Sequence, residues 1–113
     1  MAAVTIFGAA APGIVDSTGG TKRWRTDIQV VVGPTMGLSI EYDGEHWHAK
    51  RREVDTRKTL DLLDAGYFVA RIRENHLPFL EIQHERLLQV RSFLYKTAPL
   101  DTIRGIKDWL SAF

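Results

Sequence analysis

The segment Ser39–His48, which reads Ser-Ile-Glu-Tyr-Asp-Gly-Glu-His-Trp-His, constrains the fold more than any other part of the chain. Glu41 and Asp43 are two residues apart, so a strand here places both carboxylates on one face. Ile40 and Tyr42 then point to the opposite face. Paired carboxylates on one face of a strand are a common way to build a divalent metal site.

Two histidines follow this strand directly. Gly44 ends the strand, and His46 and His48 come within reach of the same place. Carboxylate oxygens suit a hard cation such as magnesium, and imidazole can act as a base or polarise a leaving group. The spacing therefore predicts that the acids and the histidines belong to one site.

Composition limits the classes of protein to consider. The chain has 113 residues, 44% hydrophobic and 26% charged, which predicts one globular domain. Because there is no cysteine, disulfides, thiolate zinc sites and cysteine nucleophiles are excluded. No apolar run approaches the roughly 20 residues of a membrane span, and no basic residue precedes the first apolar run as in a secretory signal. We expect a cytoplasmic protein that does not enter a membrane.

The basic residues are clustered although the net charge is only +1. Such clusters are often solvated loop charges. Two clusters that flank one acidic site instead favour phosphate binding. The first contains Lys22, Arg23 and Arg25, and the second contains Lys50, Arg51 and Arg52.

The first half of the chain predicts a hairpin. Val4–Phe7 is a short strand-like run, and the Ala, Pro and Gly residues and Ser17–Gly20 that follow are typical of loops. Thr26–Val32 is rich in Val and Ile, and Met36–Asp43 resumes as an antiparallel partner after Gly-Pro. In this pairing, Asp27 lies beside the two acids of the next strand.

The second half predicts a crossover unit. Arg52–Ala65 is rich in helix formers and Gly66 is a suitable stop, so a helix leads directly into a strand at Tyr67–Ile72. Arg86–Tyr95 is read as a late strand, with a short helix as the alternative. Pro99 opens a final helix with apolar residues at helical spacing. The order β, β, β, α, β, β, α indicates an α/β or α+β fold.

Four segments, taken in order, resemble one known group. They resemble the restriction-endonuclease-like, or PD-(D/E)XK, nuclease superfamily, and within it the branch of very-short-patch repair endonucleases. The resemblance covers residues 22–80. The segments are Glu41–His48, Asp55–Lys58, Gly66–Glu74 and Leu77–Pro78.

The resemblance implies a restriction-endonuclease-like core. This core would be a mixed β-sheet with a hairpin that carries the site, a crossover helix and a C-terminal helix. Residues 1–113 would form a single nuclease-like domain, with an N-terminal segment over 1–21, the core over 22–80, and a C-terminal strand and helix over 81–113.

The resemblance also implies the site. Asp27 matches the metal-binding aspartate of the first strand and Glu41 matches the acid of the second. Asp43 stands where the superfamily usually has lysine, so His48, or else His46, would take over the role of the lysine. Asp27, Glu41 and Asp43 would then hold Mg²⁺ or Mn²⁺.

The implied function is a metal-dependent DNA endonuclease of repair, restriction or defence. The two basic clusters would bind DNA phosphates, and Trp47 would contact bases or, alternatively, anchor the core. A homodimer or a partner domain would complete the site. A non-catalytic DNA-binding module and a protein-interaction domain remain alternatives.

Some residues have a structural alternative to these roles. Glu41 and Asp43 could be exposed charges on a solvent-facing strand. Arg71 and Arg73 could reach a phosphate or form a structural salt bridge with those acids. At the start of its helix, Asp55 is a favourable partner of the helix dipole.

Overall fold

The computed structural model describes residues 7–8, 10–18, 22–32, 36–44, 49–74, 77–91 and 99–113, but not the side chains of residues 49 and 50. Within these ranges the chain forms a five-stranded mixed sheet and two longer helices. The elements are β1 (Ala11–Asp16), β2 (Arg23–Val31), β3 (Gly37–Asp43), α1 (Ala49–Asp64), β4 (Phe68–Arg73), β5 (Leu87–Arg91) and α2 (Pro99–Leu110).

The strands lie in the sheet in their chain order. β1 pairs with β2 and β2 with β3 in antiparallel fashion, which confirms the predicted hairpin. β3 pairs with β4 and β4 with β5 in parallel. α1 connects β3 to β4, as a parallel pair requires. The mixed α+β class expected from the sequence is therefore confirmed.

Gly66 ends α1 as predicted. Its φ of 93° lies in the left-handed region, where glycine has no steric penalty. The Gly66 N–H donates to the Leu63 carbonyl and the Tyr67 N–H to the Leu62 carbonyl, both at 3.0 Å. These two bonds satisfy carbonyls that the helix end would otherwise leave open. β4 can therefore start two residues later.

The face of the sheet toward α2 is apolar. Phe68, Ala70 and Ile72 of β4 pack in one cluster with Ile103 and Ile106 of α2. The two isoleucines are fully buried, which confirms the predicted helical stripe. This face supplies the larger hydrophobic core.

The face toward α1 is divided into two parts. Close to β1, Leu62 and Leu63 of α1 pack with Val15 and Val69 in a second apolar cluster. Towards the carboxyl ends of β3 and β4, the same face holds buried charged side chains. These are Glu41, Asp43, Arg71 and Arg73.

β1 was not expected from the sequence. Val4–Phe7 was read as the first strand, but Phe7 is helical and residues 4–6 lie outside the described residues. The actual first strand contains Pro12 and Gly13, which lower strand propensity. Proline is tolerated at the edge of a sheet, where no neighbour needs its missing N–H, and β1 is an edge strand.

Other boundaries differ by a few residues. α1 begins at Ala49 rather than Arg52, and the late strand, β5, begins at Leu87 rather than Arg86. The strand alternative is thus confirmed over Leu87–Arg91, while residues 92–95 lie outside the described residues. Within the part of the chain that is described, neither helix is long and apolar enough to cross a membrane.

Candidate functional site

The hairpin opens where the predicted acids lie. β2 and β3 are paired from Ile28 opposite Ile40 onward. One step before this pair, the Asp27 N–H donates to Glu41 Oε2 at 3.3 Å and the Tyr42 N–H donates to Asp27 Oδ2 at 2.9 Å. At this step, the carboxylate oxygens of Glu41 and Asp27 accept the backbone N–H groups that main-chain carbonyls would accept in a regular antiparallel ladder. The expected placement of Asp27 beside Glu41 is confirmed.

The separation of the strands has a local cause in β2. The register with β1 shifts between Ala11 and Gly13, so β2 has one additional residue at Asp27–Ile28. Such a bulge bends the strand and is often found next to functional sites. On the N-terminal side of the bulge, β2 stays paired with β1 and separates from β3.

A cleft of about 340 Å³ lies where the two strands part. The carboxylates of β2 and β3 line it, and α1 forms the opposite wall. Arg25 and Arg51, both exposed, line it from different elements. The lining also includes Trp24, Asp27, Glu41, Tyr42, Asp43, Val54, Asp55, Lys58 and Arg71.

Lys58 is the main residue of the cleft to which we assigned no role from the sequence. Its Nζ lies 2.8 Å from Glu41 Oε1 and also donates to the Arg25 carbonyl. Only 15% of the lysine side chain and 2% of the glutamate side chain are exposed. The available signal was helical spacing, because Lys58 lies four residues before Leu62, which faces the sheet.

Burial shifts the ionisation of Glu41. Loss of solvent raises the pKa of Glu41 from its ordinary 4.5 to about 7. The positive charge of Lys58 opposes this shift and the nearby Asp27 adds to it. Glu41 can therefore change its charge near neutral pH, and a nearby cation would favour the ionised form.

Asp43 is fully engaged with two arginines of β4. Arg71 Nη1 donates to Asp43 Oδ1 at 2.7 Å, and Arg73 Nη1 donates to Oδ2 at 2.9 Å. All three side chains are buried. The structural salt bridge that the sequence left open is therefore present. Both carboxylate oxygens of Asp43 are used in it.

This ion cluster also fixes α1 to the sheet. Arg71 Nε donates to Thr59 Oγ1 at 2.6 Å and its Nη2 to the Asp55 carbonyl at 3.3 Å. Because a planar guanidinium offers several donors in fixed directions, one arginine can connect a strand and a helix. Lys58 lies directly before Thr59 and three residues after Asp55, so this docking also positions Lys58.

Asp55 is buried beside the same cluster. Its Oδ2 lies 3.6 Å from Arg73 Nη1, but accepts no hydrogen bond from any described residue. Burial raises the pKa of Asp55, an effect that Arg71 opposes and Asp43 reinforces. The expected pairing with the helix dipole is wrong, because α1 begins at Ala49 and Asp55 lies in its second turn, where it interacts with Arg71 and Arg73.

The basic clusters are only partly assembled at the cleft. Arg25 and Arg51 line it, whereas Arg23 pairs with Asp16 at 3.0 Å on the surface. Lys22 lies 5.4 Å from the ring centre of Trp24. Arg52 lies 3.3 Å from Glu81, beside a separate groove.

Four predicted site residues lie, wholly or with their side chains, outside the described part of the structure. His46, Trp47 and His48 lie outside the described residues, and the side chain of Lys50 is not described. Gly44 is the last described residue before this segment, directly after Asp43. The roles assigned to these four residues stay predictions.

The carboxylates that line the cleft decide whether it can hold the expected metal ion. Within the described ranges, no group of three or more acidic or histidine side chains is arranged to hold a metal ion. Asp27 and Glu41 form an adjacent pair of carboxylates. Since magnesium is commonly held by one or two carboxylates together with water and substrate phosphate, a pair is sufficient for that ion.

The sequence matches no family model, no curated protein and no solved structure. The cleft must therefore be interpreted through its own chemistry. It combines adjacent carboxylates, a half-buried lysine and two arginines at the rim.

Proposed function

We propose that the cleft is the active site of a metal-dependent endonuclease that hydrolyses phosphodiester bonds in DNA, built on a restriction-endonuclease-like core. The main support is the meeting of Asp27 and Glu41 at the point where β2 and β3 separate, with Lys58 in contact with Glu41. The hairpin, crossover helix and C-terminal helix also fit such a core.

Asp27 and Glu41 are the best candidates to hold Mg²⁺ or Mn²⁺. Their carboxylates are adjacent. Among the described residues, none donates a hydrogen bond to Asp27 Oδ1, so this oxygen is open to a metal ion. When bound, the metal would supply the Lewis acidity that activates water and offsets charge on phosphoryl oxygens. Asp43 fits this role less well, because two arginines already occupy both of its oxygens.

Lys58 would take the place of the usual strand lysine. It enters from α1 rather than from β3, but its ammonium lies in the same cleft as the two carboxylates. On arrival of substrate, it would release Glu41 and donate to a phosphate oxygen. The sequence assigns the role of this lysine to His48 or His46, and that assignment stays a prediction; with Lys58 in the role, the two histidines would serve in proton transfer.

The rim of the cleft suits a nucleic acid. Arg25 and Arg51 stand on its walls and would bind phosphates on either side of the scissile bond. Contacts of this kind position the backbone without reading the sequence. DNA is thus the proposed substrate, and its recognition would depend on other contacts.

The proposal is tested by Glu41→Gln, which keeps the size of the side chain and removes its charge. Cleavage of supercoiled plasmid in Mg²⁺ or Mn²⁺ should fall by about a hundredfold or more, as for the loss of a group that stabilises charge in the transition state. Glu53→Gln is the matched control, because Glu53 is exposed on α1. Equal activity of both variants and the parent protein would disprove the site.

A second candidate is a non-catalytic DNA-binding module with the same fold. It is favoured by one observation: Lys58 Nζ lies 2.8 Å from Glu41 Oε1, so a cation is already in contact with this carboxyl group. Calorimetry with Mn²⁺ separates the two proposals. Uptake of Mn²⁺ that is lost in Glu41→Gln supports the enzyme, whereas DNA binding without Mn²⁺ uptake supports the module.

A further inference from the structure

The loop after β4 presents an aromatic side chain at the same end of the sheet as the cleft. Leu77 and Leu80 are buried, whereas Pro78 and Phe79 between them are exposed. Phe79 keeps 38% of its surface accessible. A single exposed apolar residue is common on protein surfaces, so exposure alone indicates nothing.

This loop is unusually well fixed for an exposed segment. Gln89 donates to the Leu80 carbonyl at 3.0 Å and accepts from the Leu80 N–H at 2.7 Å. Arg91 donates to the Leu77 carbonyl, and Arg73 Nε donates to the Pro78 carbonyl at 3.0 Å. Side chains of β4 and β5 thus bind the loop on both sides of Phe79.

The ring of Phe79 is itself oriented. The guanidinium carbon of Arg91 lies 4.3 Å from the ring centroid, so the cation covers one face of the ring. Because the ring is still partly exposed, it can contact a further flat group. A rigid ring costs less conformational entropy on binding than a mobile one.

The cleft and this ring are connected through Arg73. Asp43, Arg73 and Arg91 are register partners across β3, β4 and β5. Arg73 contacts Asp43 Oδ2 with Nη1 and the Pro78 carbonyl with Nε. Phe79 therefore lies near the carboxyl ends of β3 and β4, the end of the sheet at which Asp43 lines the cleft.

We infer that Phe79, supported by Arg91, is a stacking platform for an unpaired nucleobase, so that the nuclease engages DNA with a single-stranded segment next to the cleavage site. Every base has a π-face, and stacking on an aromatic ring is tolerant of sequence. In a continuous duplex, neighbouring bases cover both faces of each base. This inference rests on the proposed function and adds a substrate class to it.

Binding to labelled oligonucleotides tests this inference. Fluorescence anisotropy in EDTA compares a single strand of about 12 nucleotides with a blunt duplex of the same sequence. Phe79→Ala should weaken single-strand binding by about fivefold to a hundredfold, the range for loss of one stacked base. Binding to the blunt duplex should be unchanged.

Two further variants separate stacking from a general apolar contact. Phe79→Leu keeps an apolar side chain without a ring and should weaken single-strand binding as Phe79→Ala does. Phe79→Trp keeps the ring and should bind like the parent protein. Equal single-strand binding by the parent, Phe79→Ala and Phe79→Leu would overturn the stacking platform, and Phe79 would then be a site for another partner.

The outcomes also separate the two proposals. If plasmid cleavage depends on Glu41 while Phe79→Ala does not affect binding of single strands, only the stacking platform fails. If the parent protein neither cleaves nor binds DNA of any form, both the proposed function and the platform fail. Thermal unfolding of each variant verifies that the fold is retained.

Discussion

Both faces of the central sheet are buried, but at the carboxyl ends of β3 and β4 they carry opposite kinds of side chain. On the face toward α2, Ile72 and its apolar neighbours pack against Ile103 and Ile106. Toward α1, Arg71 and Arg73 of the same strand are buried with Asp43. β4 contributes to both faces because its successive side chains point alternately to the two sides of the sheet.

This difference indicates that one face of the sheet mainly supplies stability and that the charged cluster on the other mainly positions the candidate site. Apolar packing is non-directional, so the α2 face gains free energy with few geometric requirements. Buried ion pairs lose most of their Coulomb energy to desolvation, and hydrophobic replacements of similar size are often as stable. The charged part of the α1 face therefore contributes little net stability, but it fixes the positions of α1 and Lys58 relative to Glu41.

The largest expected effect is that of Asp43→Asn. This change conserves shape but removes the anion that contacts both buried arginines, and removing one partner of a buried ion pair costs about 3–5 kcal/mol. Urea unfolding at pH 7 measures it. An effect below about 1 kcal/mol would mean that the arginines are solvated and that the two faces differ less than the contacts indicate.

The next effect is a dependence of stability on pH that comes from Glu41. The folded protein retains the Glu41 proton up to about pH 7, whereas the unfolded chain loses it near the ordinary pKa of 4.5. The folded state binds more protons in this window, so its stability falls as the pH rises from 4.5 through 7. At 1.36 kcal/mol per pKa unit, this loss is at most about 3 kcal/mol.

The measurement compares the parent protein with Glu41→Gln over the same pH range. Glutamine does not titrate, so the difference between the two unfolding free energies should change with pH between about 4.5 and 7. A constant difference would show that the Lys58 ammonium, rather than burial, governs the Glu41 carboxyl. Glu41 would then add no pH dependence to the stability in this window.

The smallest effect is expected on the apolar face. Ile72→Val removes one methyl group from the larger core and should cost about 0.5–1.5 kcal/mol. The same urea titration measures it beside Asp43→Asn. If the two conservative changes had equal costs, the contrast between a tolerant apolar face and an exacting charged face would be refuted.

Local patterns predicted much of the fold. The Val- and Ile-rich run before Gly33-Pro34 predicted the hairpin. Gly66 predicted the end of α1 and the start of β4. These features depend on neighbouring residues, so a short window of sequence contains the information. β1 was missed because Pro12 reduces strand propensity, while its edge position removes the penalty.

The candidate site was predictable only in part. Asp27 and Glu41 meet because they lie opposite each other in a hairpin whose register follows from a short turn. Arg71 and Asp43 meet through a parallel pair that α1 separates in sequence. The sequence offered this ion pair only as an alternative, since no local pattern specifies a parallel register.

By itself, the sequence determined the class of the major elements other than β1, and the alternation that gives one strand two different faces. It also placed Asp27 beside Glu41. Tertiary structure decided that Asp43 is neutralised by Arg71 and Arg73 and that Lys58 reaches Glu41 from a helix. The physical reason is that electrostatic partners are selected by distance in space, which depends on how α1 docks on the sheet rather than on separation along the chain.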